Sequence, residues 1–215
     1  MNVDLLLILV VLTNLRVLGS SRLGACIRTT AVQGVLLGLL PLLAHTPHLT
    51  IHTVLLAAGS MALKGVVFPW LLFRAIREAD VQREIEPYIG YNLSLLLGMA
   101  AIAAAVWLSQ RLPLPAAAPS PWIVPTSLFS ILAGLVLIIG RKKAISQVLG
   151  FLVMENGIYT FGVGLVHETS FLVELGVLLD VFVGVFVMGI TLFHISREFD
   201  HIDADQLNLL EDWKR

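Results

Sequence analysis

Residues 144–196 read AISQVLGFLVMENGIYTFGVGLVHETSFLVELGVLLDVFVGVFVMGITLFHIS. Two apolar runs, each long enough to cross a bilayer, flank the short polar turn HETS. A helix needs about 20 apolar residues to cross roughly 30 Å of hydrocarbon, rising about 1.5 Å per residue. Each run carries a carboxylate near its centre, Glu155 in the first and Asp180 in the second. On a helix entering at Ala144, Glu155 lies half way across. Counted back from Phe171, Asp180 reaches the same depth. An acid at the bilayer centre costs about 2.5 kcal/mol or more, so it marks an ion path or a paired site. Two acids at one depth on consecutive helices direct both the fold and the functional reading.

The composition agrees. Hydrophobic residues make up 57% of the chain and charged residues 13%, with mean hydropathy +0.89. A soluble domain carries about a quarter charged residues, so the chain is read as an all-α integral membrane protein with the lipid bilayer as its solvent. The net charge of -1 carries no message, because the position of each charge matters more; nothing points to nucleic acid. The single cysteine, Cys26, rules out a disulfide framework and any multi-cysteine metal or iron–sulfur site. It reads as a small residue near a helix end. The opening MNVDLLLILVVLTNL has Asp4 where a cleaved signal has basic residues, and reads as a retained first helix.

Seven apolar runs follow in order, at 3–18, 29–44, 51–73, 88–108, 122–140, 144–166 and 171–195. The first two are short and need their flanks to span. Lysine and arginine placement orients them. Alternating from an outside amino terminus, the inner segments hold Arg16, Arg22, Arg28, Arg74, Arg77, Arg83, Arg141, Lys142, Lys143, Arg197, Lys214 and Arg215, and the outer segments only Arg111. This is the positive-inside pattern, and it predicts a bundle of seven transmembrane helices, N-terminus outside and C-terminus cytoplasmic. Residues 1–121 then form a four-helix membrane unit, 122–196 a three-helix unit and 197–215 a cytoplasmic amphipathic tail. The tail is either a surface helix that docks on a partner or an interfacial cap. The mixed-charge loop at 74–86 extends the third helix, and the proline-rich 111–121 is a stiff connector.

The remaining basic residue, Lys64, falls inside the third run, near its middle. Pro69 follows; it removes a backbone donor and blocks the carbonyl one turn back, so the helix is expected to kink or open near Lys64. A buried lysine alone loses its proton and a buried carboxyl alone keeps one, whereas in contact they hold each other charged. Lys64, Glu155 and Asp180 are therefore expected to face a common hydrated interior; the competing reading is a static salt bridge that fixes packing. Asn156, Gln33 and Gln147 can hydrogen-bond across helices, with packing as the expected role. Glu174, close to the outer boundary, is a candidate pathway mouth. His45, His48 and His52 flank Pro47 and read as interfacial caps rather than a metal cluster, and His167, Glu168, His194 and His201 need no special role. No nucleophile triad, metal set, dinucleotide fingerprint or Walker motif is present. Basic loop, Gln33 and Lys64 are faintly echoed by basic loop, Gln147 and Asp180, as in a parallel repeat of two three-helix units.

At SQVLGFLVMENGIY and FLVELGVLLDVFVGVFVM the sequence resembles component E of hydrogenase-4, a membrane subunit of group 4, formate hydrogenlyase-type hydrogenases. The resemblance runs over nearly the whole chain, including Lys64 with Pro69 and the basic loop before the ENG motif. The last three runs are similar to the K subunit of respiratory complex I and to the C subunit of multisubunit cation/proton antiporters. In the K subunit two intramembrane glutamates lie on the proton path. One stands four positions before a glycine, as Asp180 stands before Gly184; the other stands four before an asparagine, where this sequence has Leu152 and places its acid one helical turn on, at Glu155.

The resemblance implies a partner-dependent role in the inner (cytoplasmic) membrane of a prokaryotic cell. Nickel–iron and iron–sulfur clusters would belong to partner subunits, with no cofactor in this chain, which is not catalytic alone. It would sit between antiporter-like membrane subunits and the membrane anchor subunit of the hydrogenase arm. Its Lys64, Glu155, Asn156, Glu174 and Asp180 would contribute to a proton-translocation path. The alternatives are a structural membrane subunit with no ion path, or a subunit of a multisubunit cation/proton antiporter. A seven-helix retinal protein fits poorly, because its lysine would lie in the last helix and its acid in the third.

Overall fold

The computed structural model describes residues 2–44, 51–78, 87–112 and 120–165. They form α1 (Val3–Leu18), α2 (Leu23–Ala44), α3 (Ile51–Ala62), a π turn (Leu63–Val67), α4 (Phe68–Glu78), α5 (Tyr91–Ser109), α6 (Ile123–Gly140) and α7 (Ala144–Leu165). No β-strand occurs among the described residues. Four spans, Leu23–Leu43, Ala57–Arg77, Tyr91–Ser109 and Ile123–Gly140, are long and apolar enough to cross a membrane. The described residues are thus helical apart from their turns, and the chain is a multi-pass membrane protein. In lipid every backbone N–H and C=O must be satisfied within the segment, which the helix does and an open strand does not. The seventh expected run, 171–195, and the tail lie outside the described residues.

Element boundaries follow the sequence reading except at two helix starts; the fourth run, expected from Tyr88, begins at Tyr91, past Gly90. The second run was expected to start at Thr29, but α2 starts at Leu23, so Arg28 lies within it and the turn from α1 shrinks to Gly19–Arg22. An arginine can ride in the first turns of a long apolar helix because its stem packs while its head reaches out. Helix α4 carries the third run beyond the apolar stretch to Glu78, as the mixed charges of 74–86 suggested.

Helix α5 is apolar outward and small or polar inward, whereas the other helices also bury bulky side chains such as Leu18, Ile27, Phe68 and Phe129. Along α5, Ser94, Gly98, Ala101 and Ala105 are buried, while Leu93, Leu96, Met99 and Trp107 are exposed. Lipid tails are as apolar as leucine, so helices associate through close packing of small residues and interhelical hydrogen bonds. The closest approach of backbone to backbone is α6 on α7. A Cβ on Gly134 would lie 2.6 Å from both Gly150 O and Met154 N, and one on Gly157 2.7 Å from Ile131 N. Only hydrogen fits there, so the two backbones meet directly.

Arg141, just past α6, ties this pair to the first helix. It is buried, its Nη2 donates to Leu18 O at 2.6 Å and its Nη1 to Ile89 O at 3.3 Å, and the guanidinium stacks 4.4 Å from the Tyr91 ring centre. The sequence reading counted Arg141 as one of several loop cations; the fold uses it to satisfy a carbonyl left open at the end of α1. At the opposite end of the bundle, Ser120 Oγ donates to Asp4 Oδ1 at 2.5 Å, joining the approach to α6 to the first turn of α1.

Candidate functional site

Proline opens the helix at Lys64 in a specific way. The Phe68 N–H bonds Leu63 O, five residues back, so the turn holds one more residue than an α-turn. Such π bulges occur where a side chain must be re-aimed, often at functional sites. Helix α2 presses against this turn: a Cβ on Gly34 would lie 2.5 Å from Lys64 Cβ, and one on Gly65 2.6 Å from Val35 Cγ2. With no side chain at Gly34 or Gly65, Lys64 is pushed toward α7.

There its Nζ donates to Glu155 Oε1 at 2.7 Å and to Asn156 Oδ1 at 3.1 Å. Lys64 is 6% exposed and Glu155 2%, so the pair is removed from solvent, where attraction between the charges is strong and an uncompensated one is costly. The Tyr159 ring, one helical turn along α7, has its centre 5.3 Å from Nζ and adds a cation–π contact. Glu155 Oε2 is buried and has no hydrogen-bond partner among the described residues. Burial of an unsatisfied acceptor costs about 1–3 kcal/mol, and it leaves a lone pair able to take a proton or a water.

A polar run continues from Asn156 across three helices. Asn156 Nδ2 donates to Gln33 Oε1 on α2 at 3.2 Å, Gln33 Nε2 to Asn14 Oδ1 on α1 at 2.7 Å, and Asn14 Nδ2 to Ser130 Oγ on α6 at 2.7 Å. Ser130 closes the run by donating to Thr126 O at 2.9 Å. All four residues are buried. Thr160 Oγ1 donates to Asn156 O at 2.7 Å and pins the α7 backbone behind the run.

Of the residues expected from sequence, Lys64, Glu155 and Asn156 come together; Asp180 and Glu174 lie outside the described residues. Lys64 and Glu155 are in direct contact rather than bridged. Gln33, expected to hydrogen-bond across helices with packing as its role, does so as the middle link of the polar run. Gln147 donates to Arg141 O at 3.1 Å in the first turn of α7, so it is no counterpart of Gln33, which sits mid-helix, and the suggested repeat does not hold there. Asn14 and Ser130 were missed. Asn14 left a faint signal, an amide inside VVLTNLRVL; Ser130 left none, because a serine in a membrane helix ordinarily bonds its own backbone.

Residues 122–212 match the family described as NADH-ubiquinone/plastoquinone oxidoreductase chain 4L. Over 205 residues the chain is 33% identical to an uncharacterized protein of Mycobacterium tuberculosis, covering 94% of this chain and 92% of that one. It is 24% identical over 155 residues to hydrogenase-4 component E of Escherichia coli K12, covering 72% of each. The chain belongs to the hydrogenase-4 component E family. The same identity and coverage relate it to component E of Shigella flexneri. No solved structure matches it. Membership makes it a complex I-related membrane subunit with partners in a membrane complex. The matched segment starts at the head of α6 and takes in Glu155 and Asn156, whereas Lys64, Gln33 and Asn14 lie before it.

Proposed function

We propose that the chain is an ion-path subunit of a multisubunit, complex I-related membrane-bound hydrogenase of the formate hydrogenlyase type. It crosses the inner membrane of a prokaryotic cell seven times, amino terminus outside and carboxyl terminus in the cytoplasm, an orientation supported by the basic residues. Its units are 1–121, 122–196 and the tail 197–215. The observation that carries the reading is the buried Lys64–Glu155 pair with one carboxylate oxygen left over. An intramembrane acid with a spare acceptor is a stopping place for a proton, and the adjacent cation keeps its conjugate base tolerable in lipid.

In this reading Lys64, Glu155 and Asn156, with Asp180 and Glu174, pass protons laterally between antiporter-like membrane subunits and the subunit anchoring the soluble arm. Hydrogen chemistry takes place on nickel–iron and electron transfer on iron–sulfur clusters of partner subunits. The test uses membrane vesicles carrying the whole complex. Glu155→Gln and Asp180→Asn should leave the complex assembled and its hydrogenase turnover present while coupled proton movement falls. An assembled complex whose proton movement is unchanged in both variants would sink the proposal.

A second reading, a structural subunit, is favoured by the way the polar run joins α1, α2, α6, α7 and the π turn. It expects the same variants to reduce recovery of the complex, which co-purification measures.

A further inference from the structure

The sense of the polar run is locked at both ends. A lysine ammonium only donates hydrogen bonds and a backbone carbonyl only accepts them. Because Lys64 donates to Asn156 Oδ1, the Asn156 amide must turn its NH2 to Gln33, Gln33 its NH2 to Asn14, and Asn14 its NH2 to Ser130, whose hydroxyl ends on Thr126 O. Every amide thus turns its oxygen toward Lys64 and its hydrogens away. Dipoles aligned this way polarise one another and place partial negative charge beside the ammonium. A proton cannot hop along such a run as along water, since each amide would first have to give up an N–H bond and become an imidic acid.

We infer that Asn14, Gln33 and Asn156 form a one-way brace that holds Lys64 as an ammonium and bars protons from leaving toward α6, so that exchange occurs at Glu155 Oε2. This rests on the ion-path reading above and adds to it the atom that carries the proton. On loading, an O–H bond forms between Oε2 and a proton delivered by hydronium or a neighbouring acid. The carboxylate becomes a neutral acid, and Lys64 keeps all its N–H bonds. On release that O–H bond breaks as the proton bonds to a water or a neighbouring carboxylate, and the ion pair at Oε1 is restored. Asn14, Gln33 and Asn156 are positioning residues: they act through Lys64 and never hold the transferred proton.

The experiment introduces Gln33→Met into the whole complex in membrane vesicles and reads proton movement together with the infrared carboxyl region. The brace predicts an assembled complex, coupled proton movement reduced about tenfold, the equivalent of one neutral hydrogen bond at the upper end of its range, and a new carboxylic-acid C=O stretch at neutral pH. Adding Glu155→Gln should remove that band, assigning it to Glu155. Where Gln33→Met does not assemble, Ser130→Ala removes a single hydroxyl at the far end and should give the same two changes at smaller size. Abolished proton movement without an acid band would mean that the run conducts protons and would overturn the inference. Unchanged proton movement and unchanged spectrum would overturn it as well. Full proton movement in Glu155→Gln with loss in Asp180→Asn would overturn this inference and leave the ion-path reading standing, whereas full proton movement in both variants would defeat the ion-path reading, whatever the Gln33 variant does.

Discussion

A double-mutant cycle on Lys64 and Glu155 gives the sharpest test of the site. The two are 2.7 Å apart and almost fully buried. Lys64→Met would leave Glu155 Oε1 without the ammonium and Oε2 still without a partner. Glu155→Leu would leave the ammonium with Asn156 Oδ1 and the Tyr159 ring as the neutral contacts that remain in view. Removing one member of a buried ion pair costs about 3–5 kcal/mol, whereas replacing both with apolar side chains of similar volume is about neutral or stabilising. Each single variant should therefore lose about 3–5 kcal/mol, and the double variant should return close to the starting stability. The coupling energy, the change in the double variant less the two single changes, should then be about 6–10 kcal/mol in magnitude, above the range usual for residues in contact because each single variant strands a buried charge. Denaturant unfolding of the full-length chain in mixed micelles measures all four corners. If the single effects add to within about 0.5 kcal/mol in the double variant, the pair is not the contact described here. The double variant also separates stability from function. It should be stable and should carry no coupled protons in the complex, and proton movement at the normal rate would refute the assignment of the path to these residues.

Other changes probe what surrounds the pair. Gly34→Ala should push α2 off the π turn, because its Cβ would lie 2.5 Å from Lys64 Cβ and 3.3 Å from the Lys64 carbonyl carbon; stability should fall by about 1–3 kcal/mol and proton movement with it. Gly24→Ala, whose Cβ would meet Phe73 Cε1 at an ordinary 3.6 Å, is the matching control and should change neither. Gly134→Ala should separate α6 from α7, with Cβ 2.6 Å from backbone atoms that cannot swing aside, and is expected to lower recovery of the folded chain in a detergent stability assay. Arg141→Met should cost about 1.5–3 kcal/mol by removing the charged bond to Leu18 O, read as a lower denaturation midpoint with proton movement per assembled complex unchanged.

Much of this molecule was legible from spacing and polarity. An acid or a lysine among twenty apolar residues is conspicuous because hydrocarbon penalises it, so Glu155 and Lys64 stood out, and Pro69 told where the helix around Lys64 would open. Helix lengths followed from the thickness of the bilayer. The start of α2 did not, because Arg22 and Arg28 look like loop residues until the helix is seen to carry one of them.

Sequence alone determined that this chain is a multi-pass membrane protein of helices, with charged groups at mid-depth, since one-dimensional hydropathy already contains the cost of burying charge. Tertiary structure decided which polar groups meet. Asn14 and Ser130 lie 116 residues apart and Gln33 and Asn156 123 apart, and no helical period links such positions. Glycines at 34, 134, 150 and 157 let backbones approach, the π turn swung Lys64 onto α7, and only then could side chains too short to span a wider gap close into one hydrogen-bonded run.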